Sequence, residues 1–352
     1  MPKTYRNIFE EIISCENLYL AYLDARKHKK LKAEVLEFGV NVEEKLRDIH
    51  DKLEAGTWQP LPYREFLAKT EVKRRVINAP DFADRVVHMA IYRVIMPMFE
   101  RKYIYDSYAC RIGKGTWAAT QRLQYFLRAA KRKYERVYVL QCDISKYYPS
   151  IYKPVLMEEM QRTIQDKRLI KLLKTIYYSF NDSERGIPIG TVTSQLAANV
   201  LLNKLDHFLK ECVGARYYLR YMDDFIIIDG DKEKLKAILQ DIDWFVTTVL
   251  KLKLNPKTGI FPACQGVDFA GYRTWATHIK PRKRNVKAAK IRFKNLAWQL
   301  RHGRTDAISI ARRRASFLGY MCHCAGYRST LSTLKWLYNS NEGGQTWKQK
   351  ED

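Results

Sequence analysis

Between residues 5 and 55, apolar and charged positions alternate at helical spacing: first Ile8, Ile12, Leu18 and Leu20, then Val42, Leu46, Ile49 and Leu53. Gly56-Thr57 and Pro60-Leu61-Pro62 break this helical lead-in. From Tyr63 the chain is extended and basic, with a strand predicted at Val76-Ile77 and Pro80 ending it. A helix follows, with Val86, Val87, Ala90, Ile91, Val94, Ile95 and Met98 forming its apolar face and Arg85 and His88 on the opposite side. The stretch SYACRIGKGTW reads as a glycine-bearing loop, after which Thr116 is expected to cap a helix reaching Lys133.

Val137 to Cys142 is apolar apart from Gln141 and ends in Asp143, a buried strand with a carboxylate at its tip. Such a charge is costly to place there unless it has a partner or a task. Helical sequence then runs towards Phe180, and Gly186, Pro188 and Gly190 shape a loop. Ser194 is expected to cap a helix burying Ala197, Val200, Leu201, Leu205 and Phe208. Ala215 to Gly230 is the pattern of a hairpin, two aromatic and β-branched runs flanking Tyr221-Met222-Asp223-Asp224, with Asp expected to accommodate the unusual backbone angles of the turn. A helix at Leu235 to Leu250, the stretch LKLNPKTG and a short hairpin in VDFAGYRTW follow. From Lys280 to Arg314, Lys and Arg crowd around a single acid, Asp306, while Val286, Phe293, Ala297 and Leu300 keep a helical stripe, so a folded basic helix pair is expected. The polar end after Gly343 is expected to fray.

The chain has 352 residues, 46% of them hydrophobic, which is consistent with a globular protein of two or three subdomains. Its 63 Lys and Arg outnumber 38 Asp and Glu for a net charge of +25, pointing to a polyanionic partner such as RNA or DNA. Seven scattered cysteines suggest no disulfide framework, and Cys322-His323-Cys324 lacks a second pair at zinc spacing, so it reads as helix core. The absence of a signal-like or membrane-length apolar run predicts a cytoplasmic protein.

Two carboxylates fixed side by side, Asp223 and Asp224, repel unless a cation or proton intervenes. Asp143 supplies a third acid 80 positions earlier, far enough for a helical crossover to return to the same sheet. Acids gathered at one sheet end in a very basic chain predict a metal-dependent nucleotidyl transferase or nuclease acting on nucleic acid. Arg111 and Lys114, in the glycine-bearing loop, are candidates for contact with a triphosphate or nucleic-acid backbone.

YMDD at 221–224, preceded by CDISKYYPSI and GIPIGTVTSQLAANVLLN and followed by LKLNP and FAGY, resembles the reverse transcriptases in motif order and spacing over about Phe66 to Trp275. The resemblance implies an α+β right-hand polymerase. Residues 1–62 would be a helical lead-in, 63–142 fingers with the start of the palm, 143–277 palm with 150–190 returning to the fingers, 278–342 a basic helical thumb and 343–352 a tail. Where most reverse transcriptases carry Gln-Gly and Ser-Pro, this chain has Ile189-Gly190 and Ser194-Gln195, which resembles the enzymes of diversity-generating retroelements. Those bacterial or phage-encoded enzymes copy a template-repeat RNA with errors at adenines and work with a small basic accessory variability protein.

The resemblance assigns catalysis to Asp143, Asp223 and Asp224. It implies a pair of Mg2+ ions, with Mn2+ as substitute, bound by these acids and the main-chain carbonyl of Ile144. It places Lys73, Arg74, Arg75, Tyr148, Ile189, Gly190, Tyr221 and Lys257 around the incoming deoxynucleoside triphosphate. Tyr148 would exclude a 2′-hydroxyl, and Lys257 would protonate pyrophosphate. Arg111, Lys114, Ser194, Gln195, Arg282, Lys283, Arg284, Lys287, Lys290 and Lys294 would face the template RNA and cDNA primer. Rival readings are a group II intron, retron or defence-associated reverse transcriptase, or a catalytically silent RNA-binding scaffold. The chain is expected to carry no maturase or DNA-endonuclease domain, which weighs against the intron class.

Overall fold

The computed structural model describes residues 3–67 and 76–338. The lead-in folds as α1 (Phe9–Ile13), α2 (Cys15–Ala25), α3 (Ala33–Val40) and α4 (Val42–Glu54). Ile8, Ile12, Leu18, Leu46, Ile49 and Leu53 are buried as their spacing requires. The Ser14 side chain accepts from Asn17 N, which separates α1 from α2. β1 (Arg64–Leu67) pairs antiparallel with β2 (Val76–Ala79), and Lys73, Arg74 and Arg75 lie outside the described residues between them.

α5 (Phe82–Glu100) buries the expected apolar face except for Met98, which is half-buried, but His88 is not on the outer side. It is 1% exposed, with Nδ1 2.7 Å from Thr193 Oγ1, because the helix is covered on that side too. α6 (Thr116–Lys133) starts at Thr116 without a side-chain cap: Gly115 holds the cap position at φ 111°, where a side chain would be strained.

β3 (Tyr138–Asp143) leads into α7 (Tyr147–Ser150), α8 (Lys153–Gln161), α9 (Lys167–Tyr178) and α10 (Val192–His207). Thr191, and not Ser194, caps α10: its hydroxyl accepts from Ser194 N at 3.1 Å. β4 (Tyr217–Tyr221) and β5 (Asp224–Asp229) form the expected hairpin, followed by α11 (Lys232–Trp244) and β6 (Gly259–Pro262). A second antiparallel sheet contains β7 (Val267–Phe269), β8 (Tyr272–Thr274) and β9 (Ile279–Pro281). α12 (Lys283–Arg301), α13 (Ala307–Met321) and α14 (Tyr327–Tyr338) end the described chain.

The central sheet has the order β4-β5-β3-β6 and is antiparallel throughout. Alternation along its strands feeds two cores. Leu140, Cys142, Phe225 and Ile227 face the large helical core, while Val139, Ile226, Ile228 and Leu219 face α6 and β7. Both faces being covered explains why β5 reads as a continuous apolar run. The last three helices share a small core of Ala289, Phe293, Leu296, Phe317, Met321 and Leu334. Leu300, expected on that stripe, is exposed, because the buried line on α12 runs through Leu296 and Ala297. The Cys322-His323-Cys324 triplet is not helix core: Cys322 is exposed just past α13, and His323 stacks on Trp117 at 4.5 Å. None of the seven cysteines is paired. Among the described residues no helix is long and apolar enough to cross a membrane.

Candidate active site

Tyr221 and Asp224 close the β4–β5 hairpin, leaving Met222 and Asp223 as a two-residue turn. The positive φ such turns demand falls on Met222, at 56°, and not on an aspartate as expected. Asp143 is the direct antiparallel partner of Asp224, and directly opposed residues project to the same face of a sheet. Ile144 N donates to Asp223 O at 3.3 Å, so the turn is tied to the chain just past β3. The three acids predicted from sequence therefore meet at one sheet end.

Two amides hold these acids. Asn255, in the stretch LKLNP, donates from Nδ2 to Asp143 Oδ2 at 2.8 Å and from its backbone N to Asp143 O at 2.7 Å. Gln141 Nε2 donates to Asp224 Oδ1 at 3.1 Å. Burial pushes the Asp224 carboxyl up to about 7. The Gln141 bond and Arg282 pull it down, while Asp143 and Asp223 repel its charge. Among the described residues no group of three His, Cys, Asp or Glu side chains is arranged to hold a metal ion, while Asp143 and Asp224 face each other directly across β3 and β5. Two opposed carboxylates are the oxygen ligands that a hard divalent cation takes, with substrate phosphates completing its shell.

Sequence reasoning missed Arg220, which supports the turn from below. Its fully buried guanidinium binds Asp206 at 2.6 and 2.7 Å and donates to Met222 O at 3.0 Å, Asn199 Oδ1 at 3.2 Å and Ser107 Oγ at 3.2 Å. Tyr218 also donates to Asp206, at 2.5 Å. Burial alone lowers the Arg220 pKa, but the Asp206 charge and hydrogen bond raise it overall. One cation thus joins α10, the loop at Ser107 and the strained tip of the hairpin.

Tyr148 is half-buried, with its hydroxyl 3.8 Å from Met222 Sδ, so it stands beside the turn. Ile189 is half-buried, and its carbonyl accepts from Asn78 N at 2.8 Å, docking the loop before α10 against β2. Gly190, at φ 128°, is so close to β2 that a Cβ would meet Asn78 O and Ile77 Cγ2 at 3.0 Å. Tyr221 is half-buried at the end of β4. Ser194 is fully buried, and its hydroxyl accepts from Thr191 at 2.8 Å, whereas Gln195 is half-buried. Lys257 is exposed, its backbone N bonded to Asn255 Oδ1 at 3.1 Å.

Arg111 has a structural role where phosphate contact was expected. Its guanidinium pairs with Glu100 at 2.7 Å and donates to Ile104 O and Ser107 O, each at 2.7 Å. Lys114 lies over the Tyr105 ring at 3.6 Å and donates to Tyr105 O at 3.0 Å. Arg282 pairs with Asp268. Lys283, Arg284, Lys287 and Lys294 are exposed along α12 and Lys290 is half-buried, none of them in an ion pair among the described residues.

Residues 67–274 match the family described as reverse transcriptase (RNA-dependent DNA polymerase). Protein YkfC of Escherichia coli K12 is 29% identical over 65% of this chain and 70% of its own length. The group II intron-encoded protein LtrA of Lactococcus lactis is 22% identical over 82% of this chain and 60% of its own. The retron Ec73 reverse transcriptase of Escherichia coli is 32% identical over 35% of this chain and 41% of its own length, so the chain spans less than two thirds of each of these two relatives. A telomerase structure from Candida albicans is similar at a TM-score of 0.46 and 14% identity, covering 67% of this chain and 49% of that one. With more than half of its length matched, this chain belongs to the reverse transcriptase family of RNA-dependent DNA polymerases.

Proposed function

We propose that this reverse transcriptase copies a template-repeat RNA into adenine-mutated cDNA that diversifies a target gene. Asp143 and Asp223 are the principal acids at the growing primer end, with Asp224 adding to the local field. Asp143 and Asp223 would hold divalent cations, which would supply activation of the 3′-hydroxyl and neutralisation of the pyrophosphate charge. Asn255, Gln141 and Arg220 hold the acids in register. Tyr148 rejects the 2′-hydroxyl, the cations at Lys73 to Arg75 clamp the triphosphate, and Lys257 donates a proton to pyrophosphate. The β1–β2 ribbon and the loop through Ile189 act as fingers, the central sheet as palm and α12–α14 as thumb. A small basic accessory protein is the expected partner.

The observation that carries the mutagenic reading is Ile189. Docked beside β2 through its carbonyl, it presents an aliphatic side chain where most of the family carries an amide. Losing a polar contact worth about 1 kcal/mol relaxes discrimination several-fold. The match to group II intron and retron relatives supports a second reading, a reverse transcriptase of another bacterial class with no adenine bias.

Primer extension on a mixed-sequence RNA, followed by cDNA sequencing, separates them. Errors concentrated at template adenines, reduced several-fold in Ile189→Gln, support the first reading. A flat spectrum that the substitution leaves unchanged favours the second. Asp223→Ala is expected to yield no product under either.

A further inference from the structure

We infer that α9 and the N-terminal segment form a second RNA site, which holds a part of the template molecule that is not being copied. Lys167, Lys171 and Lys174 lie on one exposed face of α9, spread over about 10 Å of helix. They line a groove of about 470 Å³ with the exposed amides of Gln161 and Gln165, over a floor of buried Ile164 and Ile170. A second hollow of about 670 Å³ shares Gln165 and Lys167 and adds Arg6, whose Nε donates to Gln165 Oε1 at 2.9 Å. The two hollows adjoin at Gln165 and Lys167, and together they are the track.

Two acids, Glu10 and Asp166, line the second hollow, and both are already engaged, as is Glu54 nearby. Arg168 pairs with both Glu10 and Glu54. Asp166 caps α9 and also accepts from Ile8 N and Phe9 N, which uses both its oxygens. Among the described residues, Arg6, Lys167, Lys171 and Lys174 have no carboxylate partner. Four uncompensated cations and two amides along an open groove fit a phosphodiester strand, and no exposed aromatic lines the track to select bases. None of its residues belongs to the acid cluster or to α12. The site rests on the proposed copying of RNA, because only a long template leaves a remainder outside the active site.

The test compares the whole chain with a Lys167→Gln, Lys171→Gln, Lys174→Gln variant. One probe is a short primed RNA template, the other the same template with a long single-stranded extension. Each lost phosphate contact on a single strand removes about 0.7 from the log–log salt slope. The variant is therefore expected to bind the extended RNA with a slope shallower by about 2. From about 50 to about 200 mM salt, the parent then loses about 20-fold more affinity than the variant. Extension of the short template is expected to be equal in both. An unchanged slope on the extended RNA overturns the proposal and leaves the track to another class of partner. Equal loss on the short template also overturns it, because the lysines would then serve the active site or the fold. A failure of the polymerase reading looks different: the parent itself extends neither template.

Discussion

Two residues, Met222 in the turn beside the acids and Gly190 against β2, have backbone geometry their neighbours must enforce. Met222 holds a positive φ that a bulky side chain adopts only at a cost of about 1–3 kcal/mol, and its carbonyl is bound by Arg220. Arg220→Lys keeps the charge, but one ammonium cannot reach Asp206, Asn199, Ser107 and Met222 O together. The variant is expected to fold and to extend primers about 10 to 100-fold more slowly, with a higher Mg2+ requirement. A titration of extension rate against Mg2+ checks this, and an unchanged midpoint would show that Arg220 only stabilises the fold. Arg220→Met strands the Asp206 charge and is expected to lower stability by about 3–5 kcal/mol, measurable by denaturant unfolding. Gly190 is constrained by space and by backbone angle alike. Gly190→Ala must push β2 away, so it is expected to raise KM for the incoming nucleotide more than it lowers kcat.

At the scale of an element, α5 carries two buried titratable groups with opposite leanings. Burial, helped by Arg85, lowers His88 to about 4, and burial raises Asp84 to about 6 against the pull of Leu61 N. Between about pH 6.5 and 4 the unfolded chain takes up the His88 proton first, so the His88 contribution is intact above 6.5 and is lost on acidification. Asp84 runs the other way: its folded form keeps a proton that the unfolded form releases, so its penalty grows as pH rises from 3.8 through about 6. The two offset in the parent. A His88→Asn variant, followed by denaturant unfolding at pH 7 and pH 4.5, is expected to lose less stability on acidification than the parent, by about 2–3 kcal/mol. Equal losses would show that His88 is not held neutral. The elements themselves were legible where burial forces composition: β3 and β5 are apolar because both sheet faces are covered, and their acids mark where the cover ends. The links between elements were not. His88 meets Thr193 across 105 positions and Asn255 meets Asp143 across 112, pairings that periodicity does not encode. The choice of Thr191 over Ser194 as the cap of α10 likewise depends on how the preceding loop docks on β2, since both residue types can cap.

For the molecule as a whole, the net charge of +25 points to a polyanionic partner but not to the surface that would meet it. The fold distributes that charge. Arg111, Arg122, Arg168 and Arg220 are paired with carboxylates, so part of the excess that sequence assigned to nucleic acid holds the protein together. Among the described residues, unpaired cations remain on several surfaces, the end of α6 and α13 among them, and two of those surfaces are α12 and α9. On α12, Lys287, Lys290 and Lys294 repeat at helical spacing, and Lys294 also lies over the Trp336 ring of α14 at 5.3 Å. If this face follows the primer–template duplex, replacing the three lysines by Gln removes about 0.9 per contact from the salt slope of duplex binding. The variant should then extend a short primed template with a raised KM and a nearly unchanged kcat, because the acids proposed to carry the chemistry, Asp143 and Asp223, are untouched once the duplex is seated. Substitution of the α9 lysines should leave that same measurement unmoved. The pair of variants thus distinguishes a basic surface placed to serve catalysis from one placed to hold RNA away from it, and equal effects from both would mean that the charge acts only as a diffuse field.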